Sequence, residues 1–232
     1  MDEKEEQILD FSGSLHEVWR LLNDAERELL RAHAKVQHYK RNQRIYVEGD
    51  EPTHLMCLLE GKVKIYKDGI GGRTQIVRMI KPVQYFAYRA YFAQEKYLTD
   101  AAAFEASTIC LVPMKVLAQI MHNNFEVCRF FIYQLSVDLG VADERTVSLT
   151  QKQIRGRLAE SLLLLIDSYG LDENATMNIY LSRDDLANLS NMSSSNAIRT
   201  LTSFVSEKII VLDGRKIKLL DEERLRTISK LG

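Results

Sequence analysis

Residues 47–66 read VEGDEPTHLMCLLEGKVKIY, in which Gly49, Asp50 and Pro52 precede one apolar run and Gly61 separates it from a second. Gly adopts positive φ freely and Pro cannot donate a hydrogen bond inside a sheet, so these residues mark turns. Runs rich in Val, Ile and Tyr continue on both sides. Strands are predicted over 44–47, 55–59, 62–67, 75–80 and 109–112. Closely spaced short strands of this kind indicate an antiparallel sandwich or roll.

Helical periodicity flanks the strands on both sides. Apolar residues recur with a helical period between Leu15 and His33, which predicts one or two short helices. In residues 123–153, which contain no Pro and one Gly, apolar or small residues alternate at spacings of four and three. Such a narrow stripe favours pairing with the same helix of a second copy, with packing on the chain's own sheet as the alternative. The predicted seam consists of Cys128, Ile132, Leu135, Leu139, Ala142, Thr146 and Leu149.

Residues 181–201, LSRDDLANLSNMSSSNAIRTL, predict two short helices after a longer one over 155–169. Ser182 and Ser193 are typical helix N-caps, and Asn191 tolerates the left-handed backbone of a tight turn between the helices. The second helix is expected to bury Ala197, Ile198, Leu201 and Val205. Residues 209–219 predict a hairpin around an Asp-Gly turn. This order of elements is that of a winged helix-turn-helix.

The composition is that of a globular protein, since 46% of the 232 residues are hydrophobic and 27% are charged. The net charge is −1, so a basic surface typical of nucleic-acid binding is missing from the chain as a whole. Even residues 151–232 carry only 12 basic side chains against 11 acidic ones.

Several classes of protein are excluded by absent signals. No apolar run approaches the ~20 residues of a membrane helix and the start has no signal-peptide core, which predicts a cytoplasmic protein without membrane contact. Cys57, Cys110 and Cys128 are too dispersed for a disulfide framework or a metal cluster, so free thiols and no metal site are expected. The chain has no nucleotide-binding glycine loop and no nucleophile motif, so no catalytic residues are predicted and it is expected not to be an enzyme.

The motifs at 47–66 and 181–201, in this order, resemble the cyclic-AMP receptor protein and fumarate-nitrate reductase regulator (Crp/Fnr) superfamily of bacterial transcription factors. The resemblance implies an α+β fold. A double-stranded β-roll sensor, a jelly roll like the cyclic-nucleotide-binding domain, would occupy residues 1–122, a dimerisation helix 123–153 and a winged helix-turn-helix 154–232. The resemblance also implies a homodimer that binds a palindromic double-stranded DNA operator and contacts RNA polymerase. A regulatory or protein-interaction module that does not bind DNA is the alternative, because the charge is near neutral.

The resemblance assigns DNA-binding roles by position in the helix-turn-helix. Four residues match phosphate-contacting positions of the family: Ser182, Arg183, Ser193 and Asn196. Arg199 matches a base-reading arginine, which can hold O6 and N7 of guanine together. Ser194 and Ser195 stand where the best-known members carry arginine and glutamate, so a different operator is expected. A plain capping role for the serines and a phosphate clamp for Arg199 remain alternatives.

The same comparison of positions bears on the effector pocket, whose candidate residues are Tyr88, Arg89, Leu98 and Thr99. Tyr88 stands where the family's ribose-binding glutamate belongs, and Leu98 stands where its phosphate-binding arginine belongs. Without that arginine the cyclic phosphate would lose its matching charge, so cyclic AMP is not expected to bind in the usual manner. The aromatic residues around Tyr88 either hold an unknown flat or anionic effector or fill the vacated pocket.

No cofactor is predicted. An iron–sulfur cluster is not expected because the chain has no cysteine before Cys57. Haem stays an open alternative, although no motif surrounds its formal axial candidates, which are His16, His33, His38, His54, His122, Met56 and Met79.

Overall fold

The structure is a computed structural model and describes residues 16–232; the predicted helix start at Leu15 lies outside them. The strands are β1 (Lys35–Tyr39), β2 (Arg44–Tyr46), β3 (His54–Glu60), β4 (Val63–Asp68), β5 (Thr74–Ile80), β6 (Tyr85–Phe86), β7 (Asp100–Ala103), β8 (Ser107–Pro113), β9 (Ile210–Asp213) and β10 (Lys216–Leu219). The α-helices are α1 (His16–Leu21), α2 (Asp24–His33), α3 (Arg89–Phe92), α4 (Met114–Asn123), α5 (Phe125–Gln151), α6 (Ile154–Tyr169), α7 (Arg183–Leu189), α8 (Ser194–Ser206) and α9 (Glu222–Leu231).

The chain divides into two compact units. The first contains the described residues up to Asp68 together with Val77–Leu139, and the second contains Gly69–Ile76 and Gly140–Gly232. Helix α5 therefore contributes its first half to one unit and its second half to the other.

The first unit is built on an antiparallel roll of two four-stranded sheets, with strand orders β1-β8-β3-β6 and β2-β7-β4-β5. Side chains alternate along β3. Leu55 and Cys57 join a cluster with the helices, whereas Met56 and Leu58 join a cluster between the two sheets. The predicted α+β fold with an N-terminal roll is confirmed.

Helices α1, α2 and α4 and the start of α5 contribute to the helix-facing cluster on the first sheet. Phe131 of α5 is buried there, and its ring centroid lies 5.7 Å from that of Tyr85 and 5.2 Å from that of Tyr88. Both pairs are edge-to-face, the geometry in which the positive ring edge meets the negative ring face. Trp19, the one tryptophan of the chain, packs against the same cluster, so its fluorescence reports on this unit.

Two of the cysteines face each other in the roll. Cys57 on β3 and Cys110 on β8 are directly opposite in the ladder, and both are free and buried. Burial raises the pKa of the Cys57 thiol to about 12, and burial together with Cys57 also raises the pKa of Cys110. Such thiols stay protonated at neutral pH and react slowly. Cys128 is also free, but it is only half-buried.

The second unit contains the predicted winged helix-turn-helix. Helix α6 ends at Tyr169 and is followed by Gly170 at φ +74°. The turn between α7 and α8 uses Asn191 at φ +50°, as predicted. The β9–β10 hairpin is also present, but Asp213 still pairs within the ladder. The two central turn residues are therefore Gly214 and Arg215, one position later than the Asp-Gly pair predicts, with Gly214 at positive φ.

We expect Gly61→Ala to destabilise the first unit strongly. Gly61 has a φ of +87°, and a Cβ there would lie 2.8 Å from the Cα of Ser107, well inside van der Waals contact. The overlap should cost about 1–3 kcal/mol beyond the strain of placing alanine at positive φ. Urea unfolding followed by Trp19 fluorescence measures the decrease in the free energy of unfolding.

Gly49→Ala is the matched control, because Gly49 also has positive φ, at +91°, but open space around it. This variant should show the backbone strain alone, about 1–2 kcal/mol. Equal losses for the two variants would contradict the steric argument.

Candidate nucleic-acid interface and sensor region

Two serine side chains begin the helices of the helix-turn-helix. The Ser182 hydroxyl accepts a hydrogen bond from the backbone N–H of Asp185 at 3.0 Å, and that of Ser193 accepts one from Asn196 at 3.3 Å. Both are therefore N-caps, as predicted, and they satisfy amides that have no partner inside the helix.

Helix α8 presents a mixed face to solvent. Ser195, Arg199 and Thr202 are exposed, and so is Ile198, with 49% of its surface accessible. The buried side consists of Ala197, Leu201 and Phe204. The prediction that Ile198 and Val205 are buried is wrong. Phe204 completes the buried stripe. Ile198 directly follows Ala197 and Val205 directly follows Phe204, so each side chain is turned by about 100° from the stripe.

The polar residues at the start of α8 already have partners. The Ser194 hydroxyl donates a short hydrogen bond to the carboxylate of Asp184 on α7. The Arg199 guanidinium donates a short hydrogen bond to the side-chain oxygen of Asn196, which lies one turn earlier. Ser194 therefore ties α8 to α7, whereas Asn196 holds the Arg199 guanidinium on the exposed side of the helix.

Arg183 is engaged by the hairpin. Its Nη2 donates to the carbonyl oxygen of Gly214 at 2.8 Å. Its Nη1 is buried and has no hydrogen-bond partner among residues 16–232. The side chain expected to contact phosphate thus links α7 to the β9–β10 turn.

A charged cluster fixes the far end of α8. Glu207 accepts hydrogen bonds from Arg155 at 2.6 Å and from the Ser203 hydroxyl at 2.8 Å, and these bonds lower the pKa of its carboxyl. Arg224 also pairs with Glu207, at 3.0 Å. The Arg155 guanidinium lies 4.8 Å from the centre of the Phe204 ring, so the same cation contacts the buried side of the helix.

In the first unit, the four candidate effector residues differ in burial and in their partners. Tyr88 is only 3% exposed and lies in the helix-facing cluster, where burial raises its pKa to about 12. Leu98 is 49% exposed. Arg89 pairs with Glu95 at 2.6 Å, and Thr99 is half-buried with its hydroxyl hydrogen-bonded to Tyr46.

An ion pair that the sequence pattern does not reveal lies beside Tyr88. Arg78 on β5 donates two hydrogen bonds to Asp138 on α5, at 2.8 and 2.9 Å. Charge from Asp138 further raises the pKa of Tyr88, and charge from Arg78 opposes this shift. Arg78 is the cation in an otherwise apolar part of β5, and this is the one sequence signal that marks the position.

The haem candidates are dispersed. His33, His38 and His54 each have a ring nitrogen within hydrogen-bond distance of a neighbouring oxygen, and His122 is exposed. Met56 is buried between the sheets and Met79 is half-buried; the side chain of His16 lies outside the described residues. Residues 16–232 contain no group of three or more His, Cys, Asp or Glu side chains arranged to hold a metal ion.

The predicted seam of α5 divides between two environments. Four of its residues are exposed: Ile132, Leu139, Ala142 and Thr146. Three are half-buried: Cys128, Leu135 and Leu149. Leu135 packs against the helix-facing cluster of its own roll. Two of the exposed seam residues, Ile132 and Leu139, form a row with Phe125 at a spacing of seven, and each of these three is more than half exposed.

Comparison with known proteins agrees with this architecture. Residues 36–124 match the model of the cyclic nucleotide-binding domain, and residues 156–228 match that of the Crp-like helix-turn-helix domain. None of the helices in the described part of the chain has the length and hydropathy needed to cross a membrane.

The chain is similar to known regulators over most of its length. The chain is 22% identical to the CRP-like cAMP-activated global transcriptional regulator of Mycobacterium tuberculosis, over 81% of this chain and 84% of the relative. It is 20% identical to the probable transcriptional regulator flp of Lacticaseibacillus casei, over 91% and 95%. FixK2 from Bradyrhizobium japonicum has the same fold, with a TM-score of 0.77, 22% identity and coverage of 84% of this chain and 96% of that one. The chain belongs to the Crp/Fnr family of transcription regulators.

Proposed function

We propose that two copies of this chain pair along α5 and bind a palindromic DNA operator through α8, in the cytoplasm and without catalytic activity. The observation that carries the proposal is the exposed, capped face of α8 with Arg199 held outward, within a Crp-like helix-turn-helix. Ser182, Ser193, Ser195 and Asn196 would contact phosphate or bases beside Arg199, while Ser194 and Arg183 would mainly hold the two helices and the hairpin in place.

The stripe of α5 supports pairing. Phe125, Ile132 and Leu139 expose apolar surface on one side of a 27-residue helix. Exposed apolar residues at a spacing of seven are those that a parallel partner helix buries. A dimer also suits DNA, because two recognition helices about 34 Å apart fit successive turns of one face of the duplex.

Making the same contacts in both half-sites would compensate for the small net positive charge of residues 151–232. With 12 basic and 11 acidic residues in 151–232, long-range attraction contributes little, so affinity must come from local phosphate and base contacts in both half-sites. RNA polymerase is the proposed protein partner, through a surface that this proposal leaves unassigned.

The sensor roll is proposed not to bind cyclic AMP in the family's usual manner. Tyr88 fills core volume against Phe131, and Leu98 supplies no cation for a phosphate. Arg78 is already paired in bidentate fashion with Asp138. An effector of another chemistry would have to use Arg89, Thr99 or the Arg78 pair.

We expect Leu139→Glu to separate the dimer. Placing an unpaired carboxylate in an apolar interface costs several kcal/mol, which weakens association by about a hundredfold or more. Sedimentation equilibrium of the full chain measures the dimer dissociation constant and so the loss of association. Val141→Glu is the matched control, since Val141 is similarly exposed on α5 but on another side of the helix. A Leu139→Glu protein that stays dimeric would overturn the pairing face.

The DNA proposal is tested by selection from a random double-stranded pool with the purified chain at two salt concentrations. We expect a palindrome to be enriched without added nucleotide, with affinity falling steeply as salt rises. Arg199→Ala should relax the preference for one G·C pair in each half-site, at about 1–3 kcal/mol. Arg226→Ala on α9 also removes one positive charge and should leave the preference for that G·C pair unchanged. If no sequence is enriched, the interaction-module alternative replaces this proposal.

Cyclic AMP should leave the protein unchanged. Isothermal titration of the full chain is expected to show no stoichiometric heat, and the thermal midpoint should stay constant, because a ligand that does not bind the folded state cannot stabilise it. Stoichiometric binding at micromolar concentration would show that Tyr88 and Leu98 do not block the site.

A further inference from the structure

Ile198 is an apolar residue on a polar face. On α8 it lies three positions after Ser195 and four before Thr202, and it directly precedes Arg199. Positions separated by three, four and seven residues share one face of a helix. Half of the Ile198 side chain is accessible, and its three neighbours on this face carry hydroxyl or guanidinium groups.

The buried side of α8 does not require this isoleucine. Ala197, Leu201 and Phe204 form the contacts with the unit's core. The exposed half of Ile198 gains nothing from packing there, and a β-branched residue lowers helix propensity slightly. Its stiffness has one advantage for recognition, because little rotamer freedom is lost when it contacts a partner.

The chemistry of the DNA major groove matches this set of groups. Guanine presents two acceptors that fit an arginine, and thymine presents a methyl group that fits an apolar side chain. Arg199 and Ile198 together thus offer a cation fork and a hydrocarbon contact to neighbouring base pairs. A protein partner is disfavoured, since Ile198 and Val205, two partly exposed residues about 10 Å apart on this side of α8, form a much smaller surface than an apolar docking patch.

We propose that Ile198 is a specificity-determining residue that contacts the 5-methyl group of a thymine within one or two base pairs of the guanine read by Arg199. The inference rests on the proposed DNA-binding function. It adds to that function a defined base, a defined atom of that base and a residue that the family motif does not mark.

The test removes the methyl group from DNA without changing base pairing. The full chain is used to select from two random duplex pools, one made with thymine and one with uracil. The wild-type protein should enrich T at a fixed position of each half-site in the first pool and lose this preference in the second. Replacing that thymine by uracil in the selected palindrome should weaken binding about fourfold per half-site, the effect of one buried methyl.

Three variants separate the contribution of Ile198 to base preference from that of Arg199. Ile198→Ala should bind the thymine and uracil palindromes equally. Arg199→Ala should lose the preference for G but still favour thymine over uracil. Val205→Ala is the matched control, because Val205 is also partly exposed and lies seven residues further along the same side of α8, about 10 Å away. It should retain the wild-type preference.

Each outcome decides one proposal. Equal binding of the two palindromes by the wild-type protein would overturn the role of Ile198 and leave DNA binding intact. Retention of the thymine preference by Ile198→Ala would assign the methyl contact to another residue, which also overturns it. Enrichment of no palindrome from either pool would overturn the proposed function, and this inference with it.

Discussion

The contact of Phe131 with Tyr85 and Tyr88 is the interaction on which the first unit depends. It joins α5 to the roll through two edge-to-face aromatic pairs in a fully buried setting. Because residues 125–139 of α5 belong to this unit, the anchor sets the rotation of that half of the helix about its axis. That rotation directs Ile132 and Leu139 outward while Leu135 faces the roll. The face available for pairing is thus a consequence of core packing.

The same anchor explains why the sensor region departs from a cyclic-nucleotide site. Tyr88 contributes a large apolar ring to the cluster, and a carboxylate at that position would be buried without a partner. The Arg78–Asp138 pair places the nearest charges between β5 and α5, where each satisfies the other. Charge in this region serves contact between elements of the protein itself.

Local signals predicted much of the fold because they act over a few residues. The sequence predicted the helix caps at Ser182 and Ser193, the left-handed turn at Asn191 and the long uninterrupted helix. Strand β7 was missed because its residues 101–103 are alanines, which have low strand propensity and are held by pairing with β2 and β4. The Arg78–Asp138 pair joins residues sixty positions apart, and the exposure of Ile198 depends on which residue completes the buried stripe. Neither property is local.

The contacts of α7 have a consequence for the shape of the DNA-reading surface. Asp184 ties α7 to the start of α8 through Ser194, and Arg183 ties it to the hairpin turn at Gly214. One short helix therefore braces both the recognition helix and the wing. The distance between α8 and the hairpin is thus fixed by contacts within the protein. In the proposed complex, the protein would therefore set the spacing between the bases at α8 and the DNA backbone at the hairpin. Under that proposal, changes in the exposed side chains of α8 would alter which bases are preferred while that spacing stays the same.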